Sequence, residues 1–350
     1  MSDNINKRKS EHIQIVLNEK VTGEDISTGF NDLRFIHNAL PEIDFNEITL
    51  DTEFLKRKMK TPFLISSMTG GAAFAETINR NLAEAAERRG WTFALGSTRA
   101  LIESEEFRPS FQVREYAPSI PIIANLGAVQ LNYGFGVEKC RQIVELTDAD
   151  ALVLHFNSIQ EVIQKGGDTN FKDLLVKIEQ LCSQLDVPVG AKEVGWGIDG
   201  QVAKKLSDAG IGFIDVAGAG GTSWSQVEKL RSDEPAKRVA AEAFAEWGIP
   251  TTDCIVSVNE QVKNKPIIAS GGIHTGMDGA KAIALGADMV GFGRSLLKQA
   301  TESVDSLLEL METREMELKM TMFGIGAATI NQLQATNRLR GNVQPLRIED

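Results

Sequence analysis

Short apolar runs recur along the chain at intervals of about thirty residues, and each run ends in glycine or in a polar residue. Near-continuous runs of four or five apolar residues are typical of parallel strands that are buried on both faces. The pattern therefore predicts eight buried strands, whose first apolar residues are Phe63, Phe93, Ile122, Leu152, Val187, Phe213, Ile267 and Met289.

Amphipathic helical patterns lie between these runs. The segment that ends at Gly90 places Leu82, Ala85 and Ala86 on one face, and a similar segment ends at Gly286. A glycine after the last apolar position is a common helix stop. Alternating strands and helices with right-handed crossovers leave an open doubly wound sheet or a closed barrel, and eight units favour the barrel. We predict an α/β fold, a (β/α)8 TIM barrel with an N-terminal extension and a helical C-terminal tail.

The same pattern divides the chain into three regions. Residues 1–60 precede the first strand and are predicted as an extension, residues 61–300 as the barrel, and residues 301–350 as helices followed by a polar arm. The sixth connection, from Thr222 to Lys265, is unusually long, with a charged middle and one predicted helix. Connections of this length are usually binding loops or lids.

Composition narrows the possible partners. The 350 residues include 37 basic and 48 acidic side chains, a net charge of −11. Nucleic acid and anionic membranes are disfavoured, because binding to them needs clustered lysine and arginine. Cys140, Cys182 and Cys254 are too widely spaced to predict a disulfide framework or a zinc site. No apolar signal segment or membrane span is visible, so we expect a soluble cytoplasmic protein.

The carboxyl ends of the predicted strands bring polar side chains to one rim, where barrel enzymes carry their active sites. Glycine, serine and asparagine at these points are explained equally well as turn residues. Four charged or titratable side chains at strand ends are harder to explain in that way: Lys192, His155, Arg99 and Arg294.

Glycine-rich segments follow the seventh and eighth strands. The segments SGGIHTG and GFGRS allow backbone N–H groups to approach a phosphate at a helix N-terminus, which is the usual phosphate site of these barrels. The third glycine of a dinucleotide fingerprint is missing, so a Rossmann site is disfavoured.

Several rim residues allow two interpretations. Lys192 suits either a Schiff base or the reduced edge of a flavin. Glu161 suits a Mg²⁺ site beside a pyrophosphate. It is explained equally well as an acidic residue that the helix dipole stabilises at a helix N-terminus. His155 is equally consistent with a core histidine. The basic segment from Lys7 to His12 fits a solvated face unless it folds over the rim.

Taken in order, the motifs closely resemble those of the type 2 isopentenyl diphosphate isomerases, which are flavin-dependent barrel enzymes of isoprenoid synthesis. The resemblance covers nearly the whole chain, and the combination is far more specific than any single glycine loop. The motifs that carry it are RKSEHI, SSMTGG, GSTRA, NLGAVQL, LHFNSIQE, KEVGWG, AGAGGTSW, SGGIHTG and GFGRS.

The resemblance implies three sites in one cavity. The FMN would contact Ser67, Met68, Thr69, Ser97, Asn125, Lys192, Thr222, Gly272, Ile273, His274, Gly293 and Arg294. The substrate would contact Arg8, Lys9, Ser97, Thr98, Arg99, His155, Asn157 and Gln160. Mg²⁺ would bind Glu161, and the catalytic residues would be Gln160 and Glu228. The chain departs from the family pattern at Thr98, where glutamine is frequent, and at His274, where arginine is common. We therefore expect His274 to contact phosphate through its backbone.

The implied reaction turns isopentenyl diphosphate into dimethylallyl diphosphate without net redox change. It requires protonation of an unactivated alkene and deprotonation of a neighbouring carbon, for which ordinary side-chain acids are too weak. Reduced FMN would transfer the protons, Gln160 and Glu228 would orient or relay them, and Mg²⁺ with the basic residues would fix the diphosphate. NADPH would serve only to reduce FMN. Members of the family assemble as tetramers or octamers.

Other interpretations remain open at this point. An FMN-dependent 2-hydroxy acid oxidase or dehydrogenase shares the fold but needs a histidine base after the sixth strand, and none lies between Asp215 and Trp224. A dehydrogenase of the inosine monophosphate type needs a cysteine in that loop, and Cys254 lies far beyond it. A non-catalytic barrel that binds phosphate or flavin is the third alternative.

Overall fold

The eight predicted strands form one closed parallel barrel in the computed structural model, which describes residues 2–68, 73–341 and 343. Each strand pairs with the next along the chain, and the last pairs with the first. The (β/α)8 prediction is confirmed. The strands are β1 (Phe63–Ile65), β2 (Thr92–Ala94), β3 (Ile122–Gly127), β4 (Ala151–Phe156), β5 (Val189–Glu193), β6 (Phe213–Asp215), β7 (Ile267–Ala269) and β8 (Met289–Phe292).

The apolar runs become strands because both of their faces are covered. Every residue of β3 and β8 is buried, as expected for strands packed between the barrel interior and an outer layer of helices. In β4 the first four residues are buried, whereas His155 and Phe156 are partly exposed. The exposure begins where the strand reaches the rim.

Helices surround the barrel and connect its strands. In chain order they are α1 (Ser2–Asn18), α2 (Ala73–Arg89), α3 (Arg99–Glu103), α4 (Val137–Thr147), α5 (Ser158–Ile163), α6 (Leu174–Gln184), α7 (Gly200–Asp208), α8 (Trp224–Arg231), α9 (Pro235–Glu242), α10 (Thr251–Gln261), α11 (Gly276–Ala284), α12 (Arg294–Glu302), α13 (Val304–Ile325) and α14 (Ile330–Gln334). No helix in the described part of the chain has both the length and the hydrophobicity needed to cross a membrane.

The sixth connection differs from the sequence prediction, because it contains α8, α9 and α10 instead of one helix. Prolines explain the division. Pro235 occupies the start of α9, and Pro250 is the residue before α10. Proline is tolerated at a helix start but cannot continue a preceding helix.

A hairpin before β1 closes the amino end of the barrel. Its strands, Thr52–Phe54 and Arg57–Met59, pair antiparallel, and Arg57 forms an ion pair with Asp150 directly before β4. Phe54 is 1% exposed, and its ring meets the edge of Phe213 at 5.6 Å. The hairpin is therefore part of the barrel core.

The C-terminal tail packs against the outside of the barrel. Glu315 of α13 accepts a hydrogen bond from the Trp91 indole at 2.7 Å and pairs with Arg89. Further on, Leu339–Arg340 pairs antiparallel with Arg34–Phe35, so the tail and the N-terminal extension meet in one small sheet. Most of the predicted polar arm lies outside the described residues.

We expect Phe54→Ala to lower the free energy of unfolding by about 3–5 kcal/mol, because it leaves a cavity that the barrel interior fills only in part. Glu53→Ala, at an exposed position of the same strand, is the matched control and should change stability by less than about 0.5 kcal/mol. Urea denaturation followed by circular dichroism measures both. Equal effects of the two substitutions would contradict a sealing role for the hairpin.

Candidate active site

One large cavity opens at the carboxyl ends of the strands, opposite the hairpin. It gathers residues from all parts of the barrel and from α1, and most of the predicted site residues line it. These are Arg8, Lys9, Ser67, Met68, Ser97, Arg99, Asn125, His155, Asn157, Gln160, Glu161, Lys192, Thr222, Gly272, Ile273, His274, Gly293 and Arg294.

Helix α1 lies over the rim and carries two cations into the cavity. The Lys9 ammonium donates to the backbone oxygen of Ser97 at 3.2 Å and lies 5.5 Å from the ring centre of Phe111. Burial, together with the charge of Arg8, lowers the pKa of Lys9 to about 7, although Glu103 opposes the shift. An anionic ligand would stabilise the charged form of this amine.

Arg99 begins α3 and is held by two carboxylates. Its Nε donates to Glu103 at 2.7 Å, and its Nη1 donates to Asp168 Oδ2 at 2.6 Å. Gln130 Nε2 donates to the same Asp168 oxygen at 2.9 Å. Burial opposes the charged form, but the hydrogen bonds and charges of Glu103 and Asp168 raise the pKa of Arg99. The guanidinium is therefore a fixed cation at the cavity wall.

Glu228 lies behind Gln160 and is only 1% exposed. Its Oε1 accepts from Gln160 Nε2 at 3.1 Å and contacts His12 Nε2 at 2.9 Å, and its Oε2 accepts from Arg231 at 2.5 Å. Burial favours the neutral acid, but the hydrogen bond and charge of His12 and the charge of Arg231 hold the pKa of Glu228 below its usual range. Glu228 is not among the residues that line the cavity, but it contacts Gln160 and His12, which are. Its catalytic role stays a prediction.

Asn157, Gln160 and Glu161 are linked at the start of α5. The Asn157 amide donates to Gln160 Oε1 at 3.2 Å and to Glu161 Oε1 at 2.9 Å. Glu161 Oε2 accepts from the backbone N–H of Asp168 at 2.7 Å. Burial raises the pKa of Glu161 against these hydrogen bonds. Asn157 Oδ1 is buried and finds no hydrogen-bond partner among the described residues.

Glu161 is not part of an acidic cluster. In residues 2–68, 73–341 and 343, no group of three or more histidine, cysteine, aspartate or glutamate side chains could hold a metal ion. A single carboxylate suits Mg²⁺, which keeps several waters and takes other ligands from phosphate oxygens. The donor set does not suit an ion coordinated fully by protein, such as structural zinc.

A buried ion pair lies at the ends of β5 and β6. Lys192 and Asp215 are partners in the register of these two strands, and Lys192 Nζ lies 2.7 Å from Asp215 Oδ2. The Ser270 hydroxyl accepts from Lys192 at 3.1 Å and donates to Asp215 Oδ1 at 2.6 Å. A Schiff base needs an amine that is free to react, whereas the Lys192 amine is held in an ion pair with a buried carboxylate. Of the two interpretations of Lys192, the geometry favours a charge partner.

His155 ends a chain of hydrogen bonds along the rim. Asn125 Nδ2 donates to the Ser67 hydroxyl at 2.7 Å, and Asn125 Oδ1 lies 2.6 Å from His155 Nδ1. Because the amide oxygen can only accept, Nδ1 carries the proton and Nε2 is an acceptor. Burial and the charges of Lys192 and Lys9 lower the pKa of His155 to about 4. His155 is therefore a neutral imidazole and adds no positive charge for a diphosphate.

Glycine loops after β6, β7 and β8 form another wall of the cavity. Gly272 has φ +67°, and a Cβ there would lie 2.8 Å from backbone atoms of the loop after β6. Gly293 precedes α12, whose N-terminus has no side-chain cap, whereas Thr275 and Asp278 cap α11. Asp278 also accepts from the backbone N–H of His274 at 3.4 Å. The start of α12 is thus the better phosphate position, and the predicted backbone contact at His274 is weakened.

One further predicted residue is not among those that line the cavity, and another cannot be placed. Thr98 is fully buried, and its hydroxyl donates to the backbone oxygen of Asn125 at 2.6 Å. Its side chain connects the segment after β2 to β3, and the substrate contact at Thr98 stays a prediction. Thr69 lies outside the described residues.

Sequence reasoning missed three residues of the site. His12 lies four residues after Arg8, so a helical interpretation of RKSEH would have placed both on one face. Asp215 ends the strand next to Lys192, which is a signal only once the register is known. Asp168 gives no local signal, because it follows a glycine pair in a loop.

Known proteins match nearly the whole chain. The model of the FMN-dependent dehydrogenase family matches residues 1–114 and 137–339. An isopentenyl-diphosphate delta-isomerase of Oceanobacillus iheyensis is 58% identical over 97% of each chain. Proteins of the same name are 47% identical in Nostoc sp., over 95% of each chain, and 47% identical in Vibrio parahaemolyticus, over 95% of this chain and 98% of the relative.

Solved structures agree with the fold. A mandelate oxidase with 3,3-difluoro-2-hydroxy-3-phenylpropionic acid covers 98% of this chain and 99% of its own, with a TM-score of 0.65 and 16% identity. An active chimera of (S)-mandelate dehydrogenase covers 97% and 99%, with a TM-score of 0.65 and 17% identity. At these identities the likeness concerns the fold alone. The chain therefore belongs to the isopentenyl-diphosphate delta-isomerase family, with the barrel of the FMN-dependent dehydrogenases.

Proposed function

We propose that this chain interconverts isopentenyl diphosphate and dimethylallyl diphosphate, using reduced FMN and Mg²⁺. The observation that carries the proposal is that one cavity combines two kinds of wall. One wall has the paired Lys192 and the glycine loops, which suit a flavin phosphate and ring. The other has Arg8, Lys9 and Arg99, which suit a diphosphate. The relatives named for this isomerisation support the choice of substrate.

The residues of the first wall fit FMN. The start of α12 and Arg294 would hold its phosphate, and Lys192 would meet the polar edge of its ring. The Ser66 hydroxyl lies in the cavity wall, buried and without a partner among the described residues, which is costly unless a ligand or water satisfies it. When bound and reduced, FMN supplies a proton donor and acceptor and an electron-rich ring.

The second wall fits a magnesium diphosphate. Arg8, Lys9 and Arg99 supply positive charge within a chain whose net charge is −11. Glu161 supplies one carboxylate, which is the usual protein share of a Mg²⁺ site whose other ligands are waters and phosphate oxygens. The unpaired Asn157 Oδ1 beside Glu161 is a further oxygen that a hydrated ion would satisfy.

The polar residues of the cavity hold the alkene end without competing for its proton. Moving the double bond passes through a transition state like a tertiary carbocation. Gln160 cannot titrate, and its amide is held at both ends by Glu228 and Asn157. The neutral His155 adds no charge that would oppose a developing cation. Because the reaction has no net redox change, we propose NADPH only as the reductant of FMN.

The FMN-dependent 2-hydroxy acid oxidase remains the alternative that the fold permits. Such chemistry needs a histidine base in the loop after β6, and that loop contains none between Asp215 and Trp224. His12 is engaged by Glu228, and burial and the nearby lysine charges lower the pKa of His155 to about 4. Neither of these two histidines is therefore suited to act as that base.

We also propose a cytoplasmic homotetramer or homo-octamer, from the family resemblance. Leu40, Val239 and Trp247 are 71%, 76% and 56% exposed, and an interface would cover apolar surface of this kind. Light scattering of the FMN-loaded protein should give a mass four or eight times that of the chain, and a monomer would contradict the proposal.

The isomerase proposal is tested by turnover. FMN-loaded protein reduced under anaerobic conditions should convert isopentenyl diphosphate and incorporate deuterium from D₂O, as followed by NMR. The oxidised and the flavin-free protein should be at least about 100-fold slower, the scale of a lost acid–base group. Oxygen uptake with a 2-hydroxy acid would support the oxidase. If the protein shows neither activity, the remaining interpretation is a barrel that binds phosphate or flavin without catalysis.

Glu161→Gln should raise the Mg²⁺ concentration for half-maximal activity by about 10-fold or more, because even outer-shell losses at metal sites cost this much affinity. The exposed Glu179→Gln on α6 is the matched control and should leave that concentration unchanged. Full activity of Glu161→Gln at limiting Mg²⁺ would show that the metal assignment is wrong.

The low pKa of Lys9, about 7 because of burial and Arg8, predicts a pH dependence of anion binding. A bound diphosphate favours the charged amine and raises its pKa, so binding takes up a proton above pH 7 and weakens as the pH rises. Calorimetry with pyrophosphate in two buffers of different ionisation enthalpy measures this uptake. In Lys9→Arg the side chain is always charged, so the Lys9 share of the uptake should disappear. Identical proton uptake in both proteins would contradict the assignment.

A further inference from the structure

Asp168 lies in the loop between α5 and α6 and touches both halves of the proposed diphosphate site. Its side chain is 17% exposed and forms an ion pair with Arg99 at 2.6 Å. Its backbone N–H donates to Glu161 Oε2 at 2.7 Å. The residue thus stands between the proposed diphosphate cation and the proposed metal ligand, although it does not itself line the cavity.

The carboxylate of Asp168 orients the Arg99 guanidinium. Asp168 holds Nη1, while Glu103 holds Nε at 2.7 Å. Two of the three guanidinium nitrogens are therefore fixed before any ligand arrives. An arginine that is already ordered loses less side-chain freedom when it binds an anion.

Gln130 also holds the Asp168 carboxylate, and its own amide oxygen is left without a hydrogen-bond donor among the described residues. It is 3% exposed and directs its amide nitrogen to Asp168 Oδ2 at 2.9 Å. Its Oε1 is consequently buried with no hydrogen-bond partner in the described residues. A buried oxygen without a donor is unfavourable, so the bond to Asp168 decides the orientation of this amide.

The loop that carries Asp168 is packed tightly against α5. A Cβ on Gly167 would lie 2.0 Å from the backbone oxygen of Glu161. Only glycine permits this approach, and it brings the Asp168 N–H to the Glu161 carboxylate. The backbone contact with Glu161 therefore anchors the loop from which the Asp168 side chain acts.

We propose that Asp168 is a positioning residue for diphosphate recognition, which presents Arg99 to the substrate in a fixed orientation. The proposal rests on the proposed function, since it takes Arg99 as a diphosphate contact. It predicts that loss of the Asp168 charge lowers the affinity for diphosphate, which is the opposite of what electrostatic repulsion alone predicts. An acid beside an anion site repels the ligand, so removal of its charge alone would strengthen binding, whereas loss of positioning weakens it.

The test is the affinity of the FMN-loaded enzyme for inorganic pyrophosphate with Mg²⁺, measured by calorimetry. Asp168→Asn should weaken binding by about 10-fold, the scale of a lost supporting partner. It should raise the KM for isopentenyl diphosphate with little change in kcat, because the interaction is the same in the ground and transition states. In an Arg99→Ala background the same substitution should change affinity less than about twofold, since the effect passes through Arg99.

Asp233→Asn is the matched control. Asp233 forms an ion pair at 2.8 Å with Lys165, which lies in the same loop as Asp168. Both side chains of this pair are largely exposed, so the affinity for pyrophosphate should stay unchanged. Thermal melting checks that each variant is folded, and Asp168→Ser replaces Asp168→Asn if the latter is not.

The outcomes separate the two proposals. Unchanged or tighter pyrophosphate binding in Asp168→Asn, or an undiminished effect of that substitution without Arg99, would overturn the positioning role alone. If the unmodified enzyme fails to bind pyrophosphate, or binds it equally well after Arg99→Ala, the proposed diphosphate site itself is wrong.

Discussion

The buried carboxylate of Glu228 joins three segments that the barrel strands alone would not bring together. Its partners are His12 on α1, Gln160 on α5 and Arg231 on α8. A buried charge is tolerated only when it is paired and hydrogen-bonded, so losing any partner is costly. Because His12 shares α1 with the two rim cations, the same pairing holds those cations over the cavity. It also fixes the Gln160 amide. The geometry of the active site thus depends on one carboxylate that does not touch the cavity.

Partners within the protein also hold some of the charged side chains of the cavity in place. The chain carries a net charge of −11, yet its cavity is lined by cations. Two of them already have acidic partners: Arg99 is paired with Asp168, and Lys192 with Asp215. Lys9 instead donates to a backbone carbonyl, and burial lowers its pKa to about 7. A diphosphate would therefore meet cations whose positions are fixed beforehand, together with one amine whose charge the ligand itself stabilises. A net charge of −11 disfavours nucleic acid as a partner, but it does not describe the local charge at the cavity.

The barrel could be predicted from the sequence because a strand that is buried on both faces is a continuous apolar run. Such a run is a local signal in the sequence. The sequence predicted Lys192 as a strand-end residue but missed Asp215, because that pairing depends on the register between two strands. The resemblance to the family at GSTRA implied that Thr98 is a substrate contact. In the structure Thr98 is the residue before α3, and its hydroxyl is directed into the barrel wall, where it donates to the backbone oxygen of Asn125. The basic N-terminal segment was ambiguous for a similar reason, since its burial depends on α8, more than two hundred residues later.

The barrel explains less of the chemistry than the segments added to it. Mandelate oxidase has the same fold at a TM-score of 0.65 and 16% identity, and a shared fold does not imply a shared reaction. In this chain, Lys192 and the glycine loops come from strand ends, and they form the wall that we propose for FMN. The proposed diphosphate contacts come from elsewhere: Arg8 and Lys9 from the extension, and the Asp168 support of Arg99 from a connecting loop. In the proposed function, recognition of the substrate therefore depends on these added segments, and the loop after β6 lacks the histidine base that hydroxy acid oxidation would need.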